Sequence, residues 1–374
     1  MITEVGRKQV LAYRAAAQGL DRSARTASRL GVFDLGFQDT PAGSAAIGLA
    51  ARLREARSND ALIADESLAL AWTFRGAPHL HRRADLPELA PALWPLGEDD
   101  AYARLAAFGS DMKKAGRSAL EAQSEAAKAM RAVVAKPMTK GDVSGAVTKR
   151  APDYVSLWCR SCNCTHIHEQ LFRLSALPAG LALTTNRSPV MLSPIDGRPR
   201  IPRKAAGTES LVRAYLTFLG PATESEVASF LGTNRPLVGP VWPDDLSEVS
   251  IDGKRAWLPR TNLSALKKAK PGHMVRLLPP YDPYLQARDR GLLLEDKAQQ
   301  KSLWRGVLGA PGALFVDGEI TGVWRAKMAG KKRLVVTVDA FGSPTRRAKT
   351  AVEKEAEVVA AARGASDVEV RFGS

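Results

Sequence analysis

Apolar residues recur at helical spacing through Ala/Leu/Arg-rich stretches at Arg7–Gly19 and Ala45–Arg57, so residues 1–90 read as helical around a short turn-rich piece, Gly31–Gly43. The same spacing returns from Asp100 to Arg131, and Pro137, Thr139 and Asp142 then act as start signals for a short helix within Lys136–Arg150. From Tyr154 to Leu192 helix and strand character alternate, ending in the strand-like LALTTNRSPVMLS. A basic, proline-rich joint, Ile195–Gly207, follows as a linker or exposed loop. Beyond it Thr208–Leu219 reads as a helix, and Thr223 with Glu226 offers a capping box for a second helix that ends at Gly232. Another short helix and a strand pair around Asp252-Gly253 complete the order helix, helix, turn, helix, hairpin, which is that of a winged helix. After Met274 short strands take over, with Asp317-Gly318 as a hairpin turn, and a helix over Thr345–Arg363 and a last strand Asp367–Phe372 finish the chain. The fold class is therefore α+β: α-rich units followed by a small β-rich domain.

Composition sets the class of partner. A chain of 374 residues with 45% hydrophobic content can bury a substantial core, and two or three domains are expected without help from disulfides or metals. Its 54 Lys+Arg against 39 Asp+Glu leave a formal charge of +15, so the whole-molecule field favours polyanions such as nucleic acid. No segment approaches about 18 uninterrupted apolar residues and no signal-peptide run opens the chain, so neither membrane insertion nor export is expected. The three cysteines all lie within six positions, which is no disulfide framework, and a reducing cytoplasm fits best.

Those cysteines belong to CRSCNCTHIH, which brings Cys159, Cys162, Cys164, His166 and His168 into ten residues. The ligand types suit tetrahedral zinc, but a structural zinc site usually draws two pairs from separated elements, and here one short segment would have to wrap the ion alone. Small buried thiols and surface histidines are the simpler reading, and neither a metal nor another cofactor is expected. The chain also has no Gly-x-Ser-x-Gly elbow, no phosphate-cradling loop ending in Lys-Ser/Thr and no His-Glu-x-x-His helix, which disfavours the usual hydrolases and nucleotide enzymes.

Two segments carry more promising chemistry. Gln38, Asp39 and Thr40 place an amide, a carboxylate and a hydroxyl in three consecutive positions of a bend between helices. Such a bend can hold a water, with Asp39 as acceptor or general base and Gln38 orienting it. The bland alternative is equally open: Asp39 or Thr40 caps the helix that begins near Pro41. The second segment, Phe74–Arg83, is a basic turn in which Arg75, His79, His81 and Arg82 can meet phosphates; blandly, it is a solvated turn. Arg203 and Lys204 in the joint are further candidates for DNA contact.

Taken in order, these pieces resemble the AlkZ-type DNA glycosylases, a bacterial winged-helix family. The family's Gly-apolar-Gln-x-Gln loop before a small-residue helix is similar to Gly36-Phe37-Gln38-Asp39-Thr40 before AGSAAIGLAARL, and its Arg-Gly-Thr-x-His element to Arg75-Gly76-Ala77-Pro78-His79. Trp158-Cys159 through His166 with LFRLSALPAGL, then LLPPYDPYLQARDR at Leu277–Arg290 and FVDGEITGVWR at Phe315–Arg325, extend the likeness over nearly the whole chain. The resemblance implies tandem winged-helix units over 1–115, 116–206 and 207–268, followed by a β-barrel-like domain over 269–374. It also implies a monofunctional glycosylase that removes alkylated purines, bulky or crosslinked adducts included, from double-stranded DNA, acting as a cytoplasmic monomer. One departure stands out: this chain keeps Gln38 but has Thr40 where the family carries its second glutamine. The alternative reading is a non-catalytic winged-helix DNA-binding protein, a regulator or damage-recognition factor.

Overall fold

The computed structural model describes residues 2–306, 309–330 and 332–373. The chain forms two compact units, one made of Met1–Asp65, Arg213–Val227 and Pro243–Ser374, the other of Glu66–Val212 and Ala228–Trp242.

In the first unit the strand Thr3–Val5 lies parallel to Leu246–Ile251, which turns back through Asp252-Gly253 and pairs antiparallel with Lys254–Pro259. Both turn residues take positive φ, 47° and 81°, as a two-residue hairpin loop with right-handed strand twist requires. The helix Arg7–Ala17 covers this sheet, and Val5, Val10, Tyr13, Val249, Ala256, Leu258 and Leu266 form one apolar cluster beneath it. The expected capping box is present: Thr223 N–H donates to Glu226 Oε2 at 2.7 Å and Glu226 N–H to Thr223 Oγ1 at 3.3 Å, opening the helix Glu224–Leu231.

The β-rich end of this unit is a five-stranded sheet in the order Val275–Leu278, Gly312–Val316, Glu319–Ala329, Arg333–Ala340, Asp367–Phe372. The first four strands run as an antiparallel meander, with Asp317-Gly318 at one turn, and the last is parallel to its neighbour. The sheet is open, which corrects the expectation of a closed barrel. The reason is the connection: reaching a parallel fifth strand takes a crossover. That crossover is the helix Arg346–Ala362, which buries Val352, Ala356, Val359 and Ala360 and packs against both edge strands, so they are covered instead of joined.

In the second unit the strands order as Pro78–Arg82, Leu68–Trp72, Leu181–Arg187, Val190–Pro194, Met138–Thr139, with antiparallel pairing. The strand pair Leu68–Trp72 and Pro78–Arg82 replaces the helix that Ala/Leu richness suggests for this stretch. All five residues of Leu68–Trp72 are buried, a pattern that a half-exposed helix cannot give and a central strand can. The helical run expected from Asp100 to Arg131 is divided into Glu98–Arg104, Ala107–Lys114 and Ala119–Val133. The first break is tight: a Cβ on Gly109 would lie 2.1 Å from the Tyr102 carbonyl oxygen, so only glycine allows the second helix to cross there. Among the described residues no helix is long and apolar enough to cross a membrane.

Candidate active site

The polar bend sits in the first unit. Phe37–Gln38 is a short strand, Thr40–Pro41 a cis peptide, and the helix Ser44–Ala50 follows Gly43, whose φ is 88°. Gln38 and Asp39 are buried, with 9% and 5% of their surface exposed, while Thr40 is half-buried. One end of the Gln38 amide is engaged: Gln286 Nε2 donates to Gln38 Oε1 at 3.4 Å and to the Tyr281 carbonyl at 3.2 Å. The NH2 of Gln38 is thereby left as the group that can meet a water or a sugar oxygen. Asp39 Oδ1 accepts from Ala45 N–H at 3.0 Å, so the carboxylate braces the first turn of the following helix from outside the N-cap position, which Gly43 occupies; the helix starts at Ser44 and not near Pro41. The other role offered for Asp39, acceptor or general base for a water, therefore falls to a carboxylate with one oxygen engaged by the backbone.

Beneath the bend lies a scaffold of buried charge. Arg52, fully buried, reaches Asp282 with Nη2 at 2.7 Å and Nη1 at 2.8 Å, and also donates to Gln18 and to the Gly48 carbonyl. Its guanidinium stands 5.2 Å over the Phe37 ring. Asp282 in turn accepts from Tyr284 N–H and opens the short 3-10 turn that carries Gln286. A Cβ on Gly48 would stand 3.1 Å from the Phe37 ring and 3.2 Å from Asp282 Oδ2, so glycine keeps the helix close against both. A second pair, Arg14 with Asp289 at 2.6 Å, fixes the far end of the same segment. Sequence reading quotes LLPPYDPYLQARDR only as a resemblance and misses Asp282, Gln286 and Arg52; the available signal was charge inside otherwise apolar, proline-bounded runs.

The basic turn sits in the second unit, and the structure corrects its reading. His79 and His81 are buried, at 3% and 1% exposure, and both rings hydrogen-bond the Thr73 hydroxyl, at 2.9 and 3.1 Å. Burial, with help from His81 and Arg75, holds the His79 pKa well below the usual imidazole range. These imidazoles are internal fasteners of the Leu68–Trp72/Pro78–Arg82 hairpin and do not present themselves to phosphates, because alternate residues of a strand buried on both faces have no solvent side. Arg75, at φ 56°, donates to the Phe230 carbonyl and lies 5.2 Å over the Phe230 ring. Arg82 pairs with Asp85 at 2.8 Å. Arg203 and Lys204 are exposed.

The cysteine segment forms a hairpin of Ser156–Cys159 and Cys164–Ile167. The Ser161 hydroxyl, the backbone at Cys162 and His166 hold the Cys159 thiol down at about 6. His168 departs from this group: its ring stacks on Phe108 at 4.1 Å.

Comparison with known proteins follows the same lines. The family described as DNA glycosylase AlkZ-like matches residues 29–362. An interstrand DNA cross-link repair glycosylase of Streptomyces sahachiroi is 30% identical over 183 residues, 46% of this chain and 47% of that protein. The match thus spans about half the length of this curated relative. The solved structure of Streptomyces sahachiroi DNA glycosylase AlkZ superimposes with a TM-score of 0.76 at 22% identity, covering 99% of this chain and 100% of that one, which shows a shared fold. With the family match running from ahead of the polar bend to the end of the crossover helix, this chain belongs to the AlkZ-like DNA glycosylase family.

Proposed function

We propose that this protein is a monofunctional DNA glycosylase that hydrolyses the N-glycosidic bond of alkylated purines in duplex DNA, with bulky and crosslinked adducts within its range. The observation that carries this reading is the Gln38 amide, buried in a family-matched loop and held at one end by Gln286. A water bound by the Gln38 NH2 adds its oxygen to C1′ of the lesion nucleotide, and the proton it sheds passes to solvent. The glycosidic bond breaks with its electron pair going to the base, which alkylation at N7 has already made cationic and a good leaving group. Asp39, anchored on Ala45, keeps the loop in place and sets negative charge near the oxocarbenium-like sugar, and the half-buried Thr40 hydroxyl is a second contact for the water. No lysine nucleophile is needed, so no strand cleavage accompanies base release.

Double-stranded DNA is held by winged-helix units, of which Thr208–Phe218, Glu224–Leu231, Arg235–Val238 and the hairpin Leu246–Ile251/Lys254–Pro259 have the element order, and the exposed Arg203 and Lys204 meet phosphates. A second reading, a DNA-binding protein without this chemistry, draws on one observation: Asp39 is tied to a helix start and Thr40 stands where the family has glutamine. Incubation with duplex DNA containing N7-methylguanine and with a panel of bulkier adducts separates the two. The glycosylase releases free base, and Gln38→Ala slows the release by orders of magnitude; salt-sensitive binding with no release from any substrate establishes the second reading.

A further inference from the structure

The hairpin Ser156–Cys159/Cys164–Ile167 has no part in the reaction above, and its side chains converge in a way that its sequence spacing alone did not suggest. The register pairs Leu157 with His166, Trp158 with Thr165 and Cys159 with Cys164. Residues directly opposite share a face and alternate residues along a strand return to it, so Cys159 and His166 lie on the same side of the ribbon, one diagonal apart. The turn between the strands brings Cys162 back over that face, with Asn163 at φ 50° closing it. As a result one donor atom each from Cys159, Cys162 and His166 lie within 4.8 Å of one another. The objection that one short segment must wrap an ion alone is met by the hairpin itself: its two strands are the two separated elements.

We propose that Cys159 Sγ, Cys162 Sγ and His166 Nε2 bind a zinc ion, with the fourth tetrahedral position open to water. Bond lengths of about 2.3 Å to sulfur and 2.0–2.1 Å to nitrogen place tetrahedral donors roughly 3.5 Å apart, inside the 4.8 Å limit within which the three atoms lie. His166 Nδ1 lies 2.7 Å from the Ile167 carbonyl, a contact that fixes the ring proton on Nδ1 and leaves Nε2 as the lone-pair nitrogen, as metal-bound imidazoles require. Ser161 Oγ, 3.1 Å from Cys159 Sγ and 3.9 Å from Cys162 Sγ, is placed to donate to a sulfur that carries thiolate charge. Both sulfurs bind as thiolates, so binding releases whatever protons they still carry; no redox partner is involved.

The physical need is visible in the same place. A two-stranded ribbon is marginal by itself in water. This one is tied down at its root, through buried Val155 and Ile167 and the bonds from Ile167 N–H to Thr148 Oγ1 and from His168 N–H to the Val155 carbonyl, both 2.9 Å. Its outer half is intermediate or exposed throughout, and Leu157 and Trp158 are 47% and 61% exposed. A metal crosslink between turn and strands supplies the missing constraint.

Zinc content of the full-length protein, purified under reducing conditions and measured by inductively coupled plasma mass spectrometry, tests this. About one zinc per chain is expected, falling to near zero in Cys159→Ser and His166→Ala and kept in His166→Cys, which preserves a ligand, and in Cys164→Ser, which lies outside the set. Cobalt(II) substitution is expected to give the intense visible bands of a tetrahedral thiolate site, lost in Cys162→Ser. A wild-type protein that neither carries zinc nor takes it up from micromolar solution overturns the proposal, as does a Cys159–Cys162 disulfide in the reduced preparation or a zinc content that ignores both ligand substitutions. Excision activity plays no part in the readout, so this outcome and that of the glycosylase assay are separable.

Discussion

Arg52 and Asp282, 230 residues apart in sequence, meet as a two-bond ion pair with both side chains 0% exposed. Taking two charges out of water is costly, and the pair persists because every lobe is used: Arg52 also serves Gln18 and Gly48, and Asp282 also serves Tyr284 N–H. Removing one partner strands the other, so Asp282→Ala is expected to lower stability by about 3–5 kcal/mol. The Arg7–Glu319 pair, 17% and 33% exposed, is the control, and Glu319→Ala should cost no more than about 1 kcal/mol. Denaturant midpoints of the two variants check the contrast. A double variant Arg52→Met with Asp282→Leu should recover part of the loss, since no orphan charge remains.

The scaffold matters because it presents Gln286 to Gln38. If Gln38 orients the attacking water, Gln38→Ala is expected to reduce single-turnover base release by about 10²–10³-fold, the usual weight of one pre-organised hydrogen-bond donor. Gln286→Ala should cost less, roughly tenfold, because the amide remains but is free to turn. Single-turnover rates on N7-methylguanine duplex measure both, and a Gln286→Ala protein that excises at the wild-type rate would show that Gln38 needs no support from below.

Asp39 combines a structural and an electrostatic duty, and one substitution separates them. Asparagine keeps an oxygen for Ala45 N–H, so Asp39→Asn should leave the unfolding midpoint within experimental scatter, whereas Asp39→Ala should lose about 0.5–1.5 kcal/mol with that bond. If the charge also steadies the sugar cation, both variants lose excision rate. Equal stability of the two variants would mean that the Ala45 bond holds nothing in place.

Local chemistry was the legible part of this chain. Asp252-Gly253 and Asp317-Gly318 are turns, Thr223 and Glu226 form their capping box, and the last helix runs within a residue of the expected bounds, because each is decided within a few residues. What sequence reading missed was decided by distant neighbours. Leu68–Trp72 reads as a helix from its alanines and leucines, and only a sheet closing on both faces makes it a strand. His79 and His81 resemble phosphate ligands until Thr73 and burial claim them. Gln286 could not be connected to Gln38 across 248 residues by any periodicity. The cysteines failed a spacing rule that the hairpin register satisfies in space.

The same buried histidine supplies a pH prediction. In the unfolded chain His79 takes a proton near its ordinary value of about 6.5, whereas in the fold burial, His81 and Arg75 hold its pKa well below that. The unfolded state therefore binds more protons as pH falls below about 6.5, and stability declines in that direction, by up to about 1.4 kcal/mol per pH unit for one such group. Above that range the group is neutral in both states and the effect is absent. Unfolding midpoints from pH 8 down to 5 should fall less steeply in His79→Gln than in wild type.

DNA affinity offers the last contrast, because two kinds of basic residue lie in the candidate segments. Arg203 and Lys204 are exposed, so if they meet phosphates each displaces a counterion, and Arg203→Ala or Lys204→Ala should flatten the dependence of log affinity on log salt by about 0.9 per contact while weakening all duplexes alike. His79 and His81 are inside, so a properly folded His81→Gln protein should keep the wild-type slope. Arg82, paired with Asp85, falls between: its charge is already answered, and Arg82→Ala should move the slope less than either joint residue. Fluorescence anisotropy over a salt series ranks the four. A slope that drops with His81 and ignores Arg203 would place the duplex against the hairpin interior, which its burial forbids unless the hairpin opens on binding.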